Sequence, residues 1–190
     1  MGHGNSTQNL SILTRVEGLI GHFVSQVACA IFHTVVLTSD GCVWTFGSNY
    51  NGKTGHGITN GTNQLTPKKV EGISGSPSKK VVFIAAGDQH SACITEDGST
   101  YTWGYGGCGR LGHGDETNCS SPKIVNSLVG IQAKEVACGG YHTLVCTKDG
   151  RVYSFGNAEY YQLGHGDKEN RFTPTLIEAP LEGKFVVQVA

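Results

Sequence analysis

From residue 24 onward the apolar and polar positions fall into short alternating runs separated by glycine-bearing breaks. Thr34 to Thr38 and Cys42 to Phe46 are rich in β-branched and aromatic residues and are joined through Ser39-Asp40-Gly41. That is the pattern of two strands in a hairpin, and the Asp-Gly pair suits the positive φ angles of its turn. The same hairpin recurs at Ser91 to Trp103 and at Thr143 to Phe155. Segments ahead of each hairpin (Val24 to Ala30, Val81 to Ala86, Lys134 to Cys138) and behind it (Lys68 to Glu71, Lys123 to Val125, Thr175 to Glu178) predict two further strands per unit. No segment keeps an apolar period of 3.6 without glycine, so long helices and a helical solenoid are disfavoured.

The units repeat. Ala28, Ala85, Ala137 and Ala190 stand 57, 52 and 53 residues apart. His33, His90 and His142 keep that register, as do Gly47, Gly104 and Gly156, and then Gly55-His56-Gly57, Gly112-His113-Gly114 and Gly164-His165-Gly166. Four strands in each such unit make a propeller blade. The expected fold is all-β, a partial β-propeller of about three and a half four-stranded blades. Residues 1–27 read as the tail of a preceding repeat, 28–84, 85–136 and 137–189 as repeats, and residue 190 as the start of another. An arc of this kind has open ends, so the 190-residue chain alone is expected to dimerise, aggregate or fold poorly.

Composition changes the picture in three places. The 28 glycines, about twice the usual share, are mostly the repeated turns. Lys and Arg number 14 against 15 Asp and Glu, so charge supports neither a nucleic-acid or chromatin partner nor a membrane surface. No apolar run approaches the roughly 20 residues of a membrane span, and the N-terminus lacks the basic and apolar regions of a signal peptide. The seven cysteines form no C-x-x-C pair, so reduced thiols in the cytoplasm or nucleus are expected.

The string Ala-Cys-Gly-Gly-Tyr-His-Thr at 137–143, the hairpin Thr-Lys-Asp-Gly-Arg-Val-Tyr-Ser-Phe-Gly at 147–156 and Gln-Leu-Gly-His-Gly-Asp at 162–167 resemble the repeat of the regulator of chromosome condensation family. The resemblance covers nearly the whole chain and implies an arc of a seven-bladed propeller in place of the kelch or WD types. It also implies three settings. These are a protein-interaction scaffold, a guanine-nucleotide exchange factor for a Ran-like small GTPase, as in the family's namesake, and a propeller segment of a HECT-type ubiquitin ligase. This chain departs from the pattern at Ala30 and Ile31, which stand where Gly139 and Gly140 stand later, and at Tyr161, which replaces the glycine of Gly52 and Gly109. A light-sensing relative places tryptophans where this chain has Ile31, Asp88 and Gly140, which disfavours photoreception.

Catalysis finds little support. His33, His56, His90, His113, His142 and His165 occupy two repeating positions, and a residue needed in every blade reads as structure that satisfies buried groups and turn backbone. Cys29 with His33 and Cys138 with His142 share a spacing, but two pairs on separate blades would not converge on one metal ion. Gly104-Tyr105-Gly106-Gly107-Cys108-Gly109 matches a dinucleotide fingerprint, yet further glycines follow it where a helix is required. Trp44 and Trp103, just ahead of Gly47 and Gly104, read as core packing. No cofactor, metal or enzymatic activity is expected. The candidate interaction residues lie in the variable loops, namely Asn51, Lys53, Asn60, Asp115, Glu116, Lys168, Glu169 and Arg171, with Ser74 to Lys80 as a further variable segment.

Overall fold

The computed structural model describes residues 2–4, 11–73, 80–179 and 181–190. Among them twelve strands form three four-stranded antiparallel sheets, each running in sequence order. Blade one comprises β1 (Val24–Cys29), β2 (His33–Thr38), β3 (Val43–Gly47) and β4 (Gln64–Lys69). In blade two are β5 (Val81–Ala86), β6 (His90–Thr95), β7 (Thr100–Gly104) and β8 (Cys119–Ile124), and in blade three β9 (Ala133–Cys138), β10 (His142–Thr147), β11 (Val152–Gly156) and β12 (Arg171–Leu176). The helical content consists of single 3-10 turns at 17–19, 50–52, 107–109 and 126–128. First strands approach one another, β1 to β5 and β5 to β9, and so make the hub from which the blades radiate. The repeat frame cut at Ala28, Ala85 and Ala137 passes through these hub strands, so each sheet begins four residues ahead of its repeat.

Two local expectations are corrected. The fourth strands do not follow Pro67, Pro122 and Pro174 but contain them. A proline lacks the N–H that a ladder needs, yet these strands are the outer edges of their sheets. The ladder also breaks there, as between Thr45↔Lys68 and Gly47↔Gln64. In the hairpin turns only the glycine is left-handed, with φ of +83° at Gly41, +82° at Gly98 and +80° at Gly150. The aspartate serves the turn through its side chain instead. Asp40 Oδ1 accepts from Thr38 Oγ1 at 2.5 Å and from the Cys42 N–H at 3.3 Å, and Thr147 Oγ1 donates to Asp149.

The hydrophobic core lies between blades. Val35, Leu37 and Val43 of blade one pack with Ile84, Cys93, Tyr101 and Trp103 of blade two, and Ala92, Ile94 and Leu128 pack with Val136, Val145 and Phe155 of blade three. The two tryptophans occupy different register positions. Trp44 pairs with Val36 as Tyr101 does with Cys93 and Tyr153 with Val145, whereas Trp103 pairs with Ser91 as Phe46 does with Thr34. Trp103 is fully buried. Trp44 is half-buried, its ring 4.6 Å from that of His22.

The Gly2-His3-Gly4 segment docks on blade one as its counterparts dock on the blade after them. The Gly4 N–H bonds the Leu65 carbonyl at 3.1 Å, as Gly57 bonds Ser120 at 2.8 Å and Gly114 bonds Phe172 at 2.9 Å. At the other end Val186 bonds the Gly150 carbonyl at 3.1 Å, the counterpart of Val81 to Gly41 and Ala133 to Gly98. Residues beyond 184 therefore lie along blade three as β5 lies along blade one.

Candidate interaction face

Two sets of loops meet at one end of the blades. The short turns 30–32, 87–89 and 139–141 are tied to the long loops after β3, β7 and β11 by Ser48 to the Phe32 carbonyl (2.7 Å), Tyr105 to Gln89 (2.9 Å) and Asn157 to Tyr141 (2.9 Å). Gly47, Gly104 and Gly156 permit this closure. A Cβ at Gly47 would lie 2.5 Å from the Phe32 carbonyl oxygen, and at Gly156 2.5 Å from that of Tyr141. The Asp-Gly hairpin turns lie at the opposite end.

The repeating histidines join blades and loops through hydroxyl groups. His33 Nε2 lies 2.8 Å from Ser91 Oγ, which donates to the Lys53 carbonyl at 3.0 Å. His90 Nε2 lies 2.9 Å from Thr143 Oγ1, which donates to the Arg110 carbonyl at 2.8 Å. A hydroxyl has one proton, and since it goes to the carbonyl the imidazole must be the donor. Within each blade the second histidine repeats the device. Thr45 Oγ1 donates to the Thr54 carbonyl (2.6 Å) beside His56 Nε2 (3.0 Å), and Thr102 and Ser154 do the same for His113 and His165. Burial pushes His33, His56 and His113 down to about 4 and His90 down to about 3. His142 and His165 are lowered for the same reason. These are neutral groups. His33, His56, His90, His113 and His165 each meet a hydroxyl through Nε2, while Nδ1 of His33 and of His90 is buried without a hydrogen-bond partner.

The second repeating glycine seats an aromatic ring from the next blade. A Cβ at Gly55 would come within 2.9 Å of the Trp103 indole, and one at Gly112 within 2.8 Å of the Phe155 ring. Gly164 meets only Ile177, at 3.5 Å.

Beneath the loops sit two cations. Lys53 was expected among the surface interaction residues, but it is only 1% exposed. Its ammonium donates to Gln89 Oε1 at 3.1 Å and lies 5.4 Å from the Phe32 ring, and burial lowers its pKa with Asp88 opposing the shift. Its neighbours on β6 and β7, Ser91 and Trp103, both bond its carbonyl, which pins the residue inside the blade junction. Arg110, also 1% exposed, holds the corresponding place in blade two. Its Nη1 donates to the Gly140 carbonyl at 2.6 Å, and its guanidinium carbon lies 4.7 Å from both the Tyr105 and Tyr141 rings. Arg110 thus clamps blade two to blade three.

The remaining candidates are at the surface, and most brace their own turns. Asn60 Oδ1 accepts from Thr62 at 3.1 Å, Asp115 from Thr117 at 2.8 Å and Glu116 from Cys108 at 2.6 Å. Asn51 takes φ +61° and accepts from Asn118 of the next blade at 3.4 Å. Arg171 begins β12 and donates to Asp167 Oδ2 at 2.7 Å and to the Glu169 carbonyl at 2.8 Å. Lys168 lies 5.2 Å from the Tyr161 ring. Ser74 to Pro77, Ser78 and Lys79 lie outside the described residues. Sequence reasoning passed over Tyr50, Tyr105, Tyr141 and Tyr160. Their signal was aromatic identity inside loops where a solvated turn needs none.

At the opposite end two clefts of about 350 and 450 Å³ recur between hairpin turn and outer strand. The first is lined by Cys42 and Lys69, whose counterparts Arg151 and Leu176 line the other, so the clefts share shape without sharing chemistry. The fingerprint-like glycines run from the end of β7 into the 3-10 turn at 107–109. Among the described residues no three His, Cys, Asp or Glu converge to hold a metal ion, and no helix is long and apolar enough to cross a membrane.

The pattern of the Regulator of chromosome condensation (RCC1) repeat matches residues 40–94, 97–146 and 149–190, and a second pattern of that description matches 24–53, 81–110 and 133–162. The Ultraviolet-B receptor UVR8 of Arabidopsis thaliana is 38% identical over 190 residues, 100% of this chain and 42% of the receptor. The E3 ubiquitin-protein ligase HERC2 of Homo sapiens is 33% identical over 195 residues, 100% of this chain and 4% of the ligase. Among solved structures, human WBSCR16 superposes with a TM-score of 0.72 at 29% identity, covering 80% of this chain and 39% of that one. Prp20p of Saccharomyces cerevisiae, described with its binding properties to Gsp1p and histones, superposes with a TM-score of 0.73 at 26% identity, covering 84% and 39%. This chain spans less than half the length of each of these relatives. With three repeats matched over most of its length and three four-stranded blades in the described residues, the chain belongs to the regulator of chromosome condensation (RCC1) repeat family.

Proposed function

We propose that the chain is a non-catalytic part of a propeller whose loop end holds a partner protein. The observation that carries this reading is the division of labour between its residues. Repeating histidines, hydroxyls and glycines are consumed in joining blades and in tying loops to their own blade, whereas the side chains that differ between blades, including Tyr50, Glu116, Tyr141, Tyr160 and Lys168, are exposed at one end. Loops on a rigid scaffold are where specificity resides. A cytoplasmic or nuclear setting fits seven free cysteines. The test is affinity capture with the complete protein, comparing native loops with versions in which the loops 48–63, 105–118 and 157–170 are scrambled. Partner sets that do not change would sink the reading.

A second reading is guanine-nucleotide exchange on a Ran-like GTPase. It is favoured by the likeness to Prp20p, which is described as binding Gsp1p. Such a factor makes no covalent bond; it favours the nucleotide-free GTPase and so speeds release. Fluorescent GDP release from a Ran-type GTPase, with the complete protein added, decides it. A rate no higher than the intrinsic one removes this activity. The likeness to HERC2 supports a third setting, a propeller segment within a ubiquitin ligase, in which this chain would recruit and a separate domain would catalyse.

A further inference from the structure

Cys108 occupies a place that the repeat does not dictate. Asn51 and Tyr160 are its counterparts in the other blades, so no contact shared by the blades requires a thiol there. Its backbone is left-handed, with φ +60°, a costly conformation for a residue that carries a side chain. The thiol is half-buried in the loop after β7, at the end of the molecule where the long loops gather. Blade one packs on one side of blade two and blade three on the other, so Cys108 belongs to a blade whose neighbours on both sides are among the described residues.

Two donors stand by the sulfur. Asn157 Nδ2, from blade three, donates to Cys108 Sγ at 3.8 Å. The second is Arg110, only 1% exposed. Its Nε donates to the Gly107 carbonyl at 2.8 Å and its Nη1 to that of Gly140 at 2.6 Å, but Nη2 is buried with no hydrogen-bond partner among the described residues. Burial lowers the Arg110 pKa, and Cys108 is foremost among the groups that oppose the shift, so thiol and guanidinium are close neighbours. A buried charged donor without an acceptor is unusual, and a negative sulfur, or an oxygen added to it, supplies what Nη2 lacks. The opposing charge is Glu116, which accepts from the Cys108 N–H at 2.6 Å, but its side chain is exposed and screened by water. The other thiols lack this setting. Burial pushes Cys138 up to about 12 and also raises Cys93, Cys119 and Cys146. Cys42 has Lys69 beside it, but that lysine is exposed and its charge is screened.

We propose that Cys108 is a peroxide-sensitive thiol, a site of reversible oxidation to sulfenic acid, with Arg110 and Asn157 as the donors that stabilise negative charge on the sulfur. The thiol first gives its proton to solvent. A sulfur lone pair then attacks one oxygen of hydrogen peroxide, the O–O bond breaks, and hydroxide leaves and takes up a proton to become water. Sulfur is oxidised by two electrons and the peroxide reduced by two. The site does not depend on the partner reading. The test treats the reduced complete protein with hydrogen peroxide in the presence of dimedone, which traps sulfenic acid, and follows each cysteine by peptide mass spectrometry. Cys108 is labelled severalfold faster than Cys29 and Cys42. Arg110→Gln slows it by about tenfold, while Arg110→Lys, which keeps the charge, retains most of the rate. Cys93, buried in the core between blades one and two, stays unlabelled in both variants if the blades remain closed. Should Cys93 become labelled, Glu116→Gln decides, because it removes the carboxylate beside the thiol without touching the arginine; it raises the Cys108 rate severalfold. Labelling of Cys108 no faster than that of Cys42 overturns the proposal. So does a Cys108 rate unchanged by Glu116→Gln, or unchanged by Arg110→Gln while Cys93 stays protected.

Discussion

His90 has no exposure, lies between two blades and donates through Nε2 to a hydroxyl whose own proton is committed to a backbone carbonyl. It works only as the neutral tautomer. His33, His56 and His113 sit in equivalent arrangements, and all four have pKa values of about 3 to 4 in the folded chain against an ordinary 6.5. Because the folded pKa is depressed, the unfolded chain takes up these protons first as pH falls, so folding stability is lost as pH drops through 6.5 and the loss levels off near 4. Urea titrations between pH 7.5 and 4.5 should therefore show a steady fall in stability, with protons taken up on unfolding by these four and by His142 and His165, whose pKa values burial also lowers. A flat profile across that window would contradict the assigned tautomers. Thr143→Val removes the hydroxyl between His90 and the Arg110 carbonyl and strands both, at a cost of about 1–3 kcal/mol, whereas Thr143→Ser keeps the relay and should cost well under that. Chemical denaturation of the pair measures the difference.

At the scale of the element, the glycines separate two causes of strain. Gly109 and Gly164 share φ +77°, but a Cβ on Gly109 meets Phe172 Cα at 2.7 Å, while one on Gly164 meets only Ile177 at 3.5 Å. Gly164→Ala should cost about 1 kcal/mol, the price of the left-handed backbone alone, and Gly109→Ala clearly more because β12 must shift. Equal losses in urea denaturation would show that the close approach does not matter. The same comparison explains what was legible in the sequence. Hairpins, hub strands and repeat register depend on local alternation and on Asp-Gly turns, so the expected strands at 24–30, 81–86 and 134–138 coincide with β1, β5 and β9 to within a residue or so. The outer strands were misplaced because Pro67, Pro122 and Pro174 read as strand breakers, and only an edge position makes them harmless. The contacts that join blades were hidden for another reason. His33 meets Ser91 across 58 residues, and nothing in a single unit shows which face it turns to the next.

At the scale of the molecule, position in the arc decides burial. Lys53 reads as a polar loop residue and becomes internal only because blade two closes over it. Blade two is packed on both faces, contributing Ile84 and Trp103 to one core and Ala92 and Ile94 to the other. Among the described residues no blade packs on the outward side of the hub strand of blade one. There Val24 is 41% and Val27 52% exposed, whereas their counterparts Val81 and Ile84 are 5% and 1% exposed. Beyond blade three, Phe185 and Val187 are each 65% exposed. Apolar hub positions that the fold buries wherever a neighbour is present will seek cover when this 190-residue chain is prepared alone. Sedimentation should then show association that grows with concentration, and Val24→Ser with Val27→Ser should reduce it without loosening blade two. Hydrogen exchange should follow the same logic, with β6 and β7 the slowest to exchange because opening them breaks both cores, and β1 and β9 faster. A monodisperse monomer with one sharp melt and equal protection in all three blades would mean that each blade is stable without its neighbours, contrary to a core that lies between them.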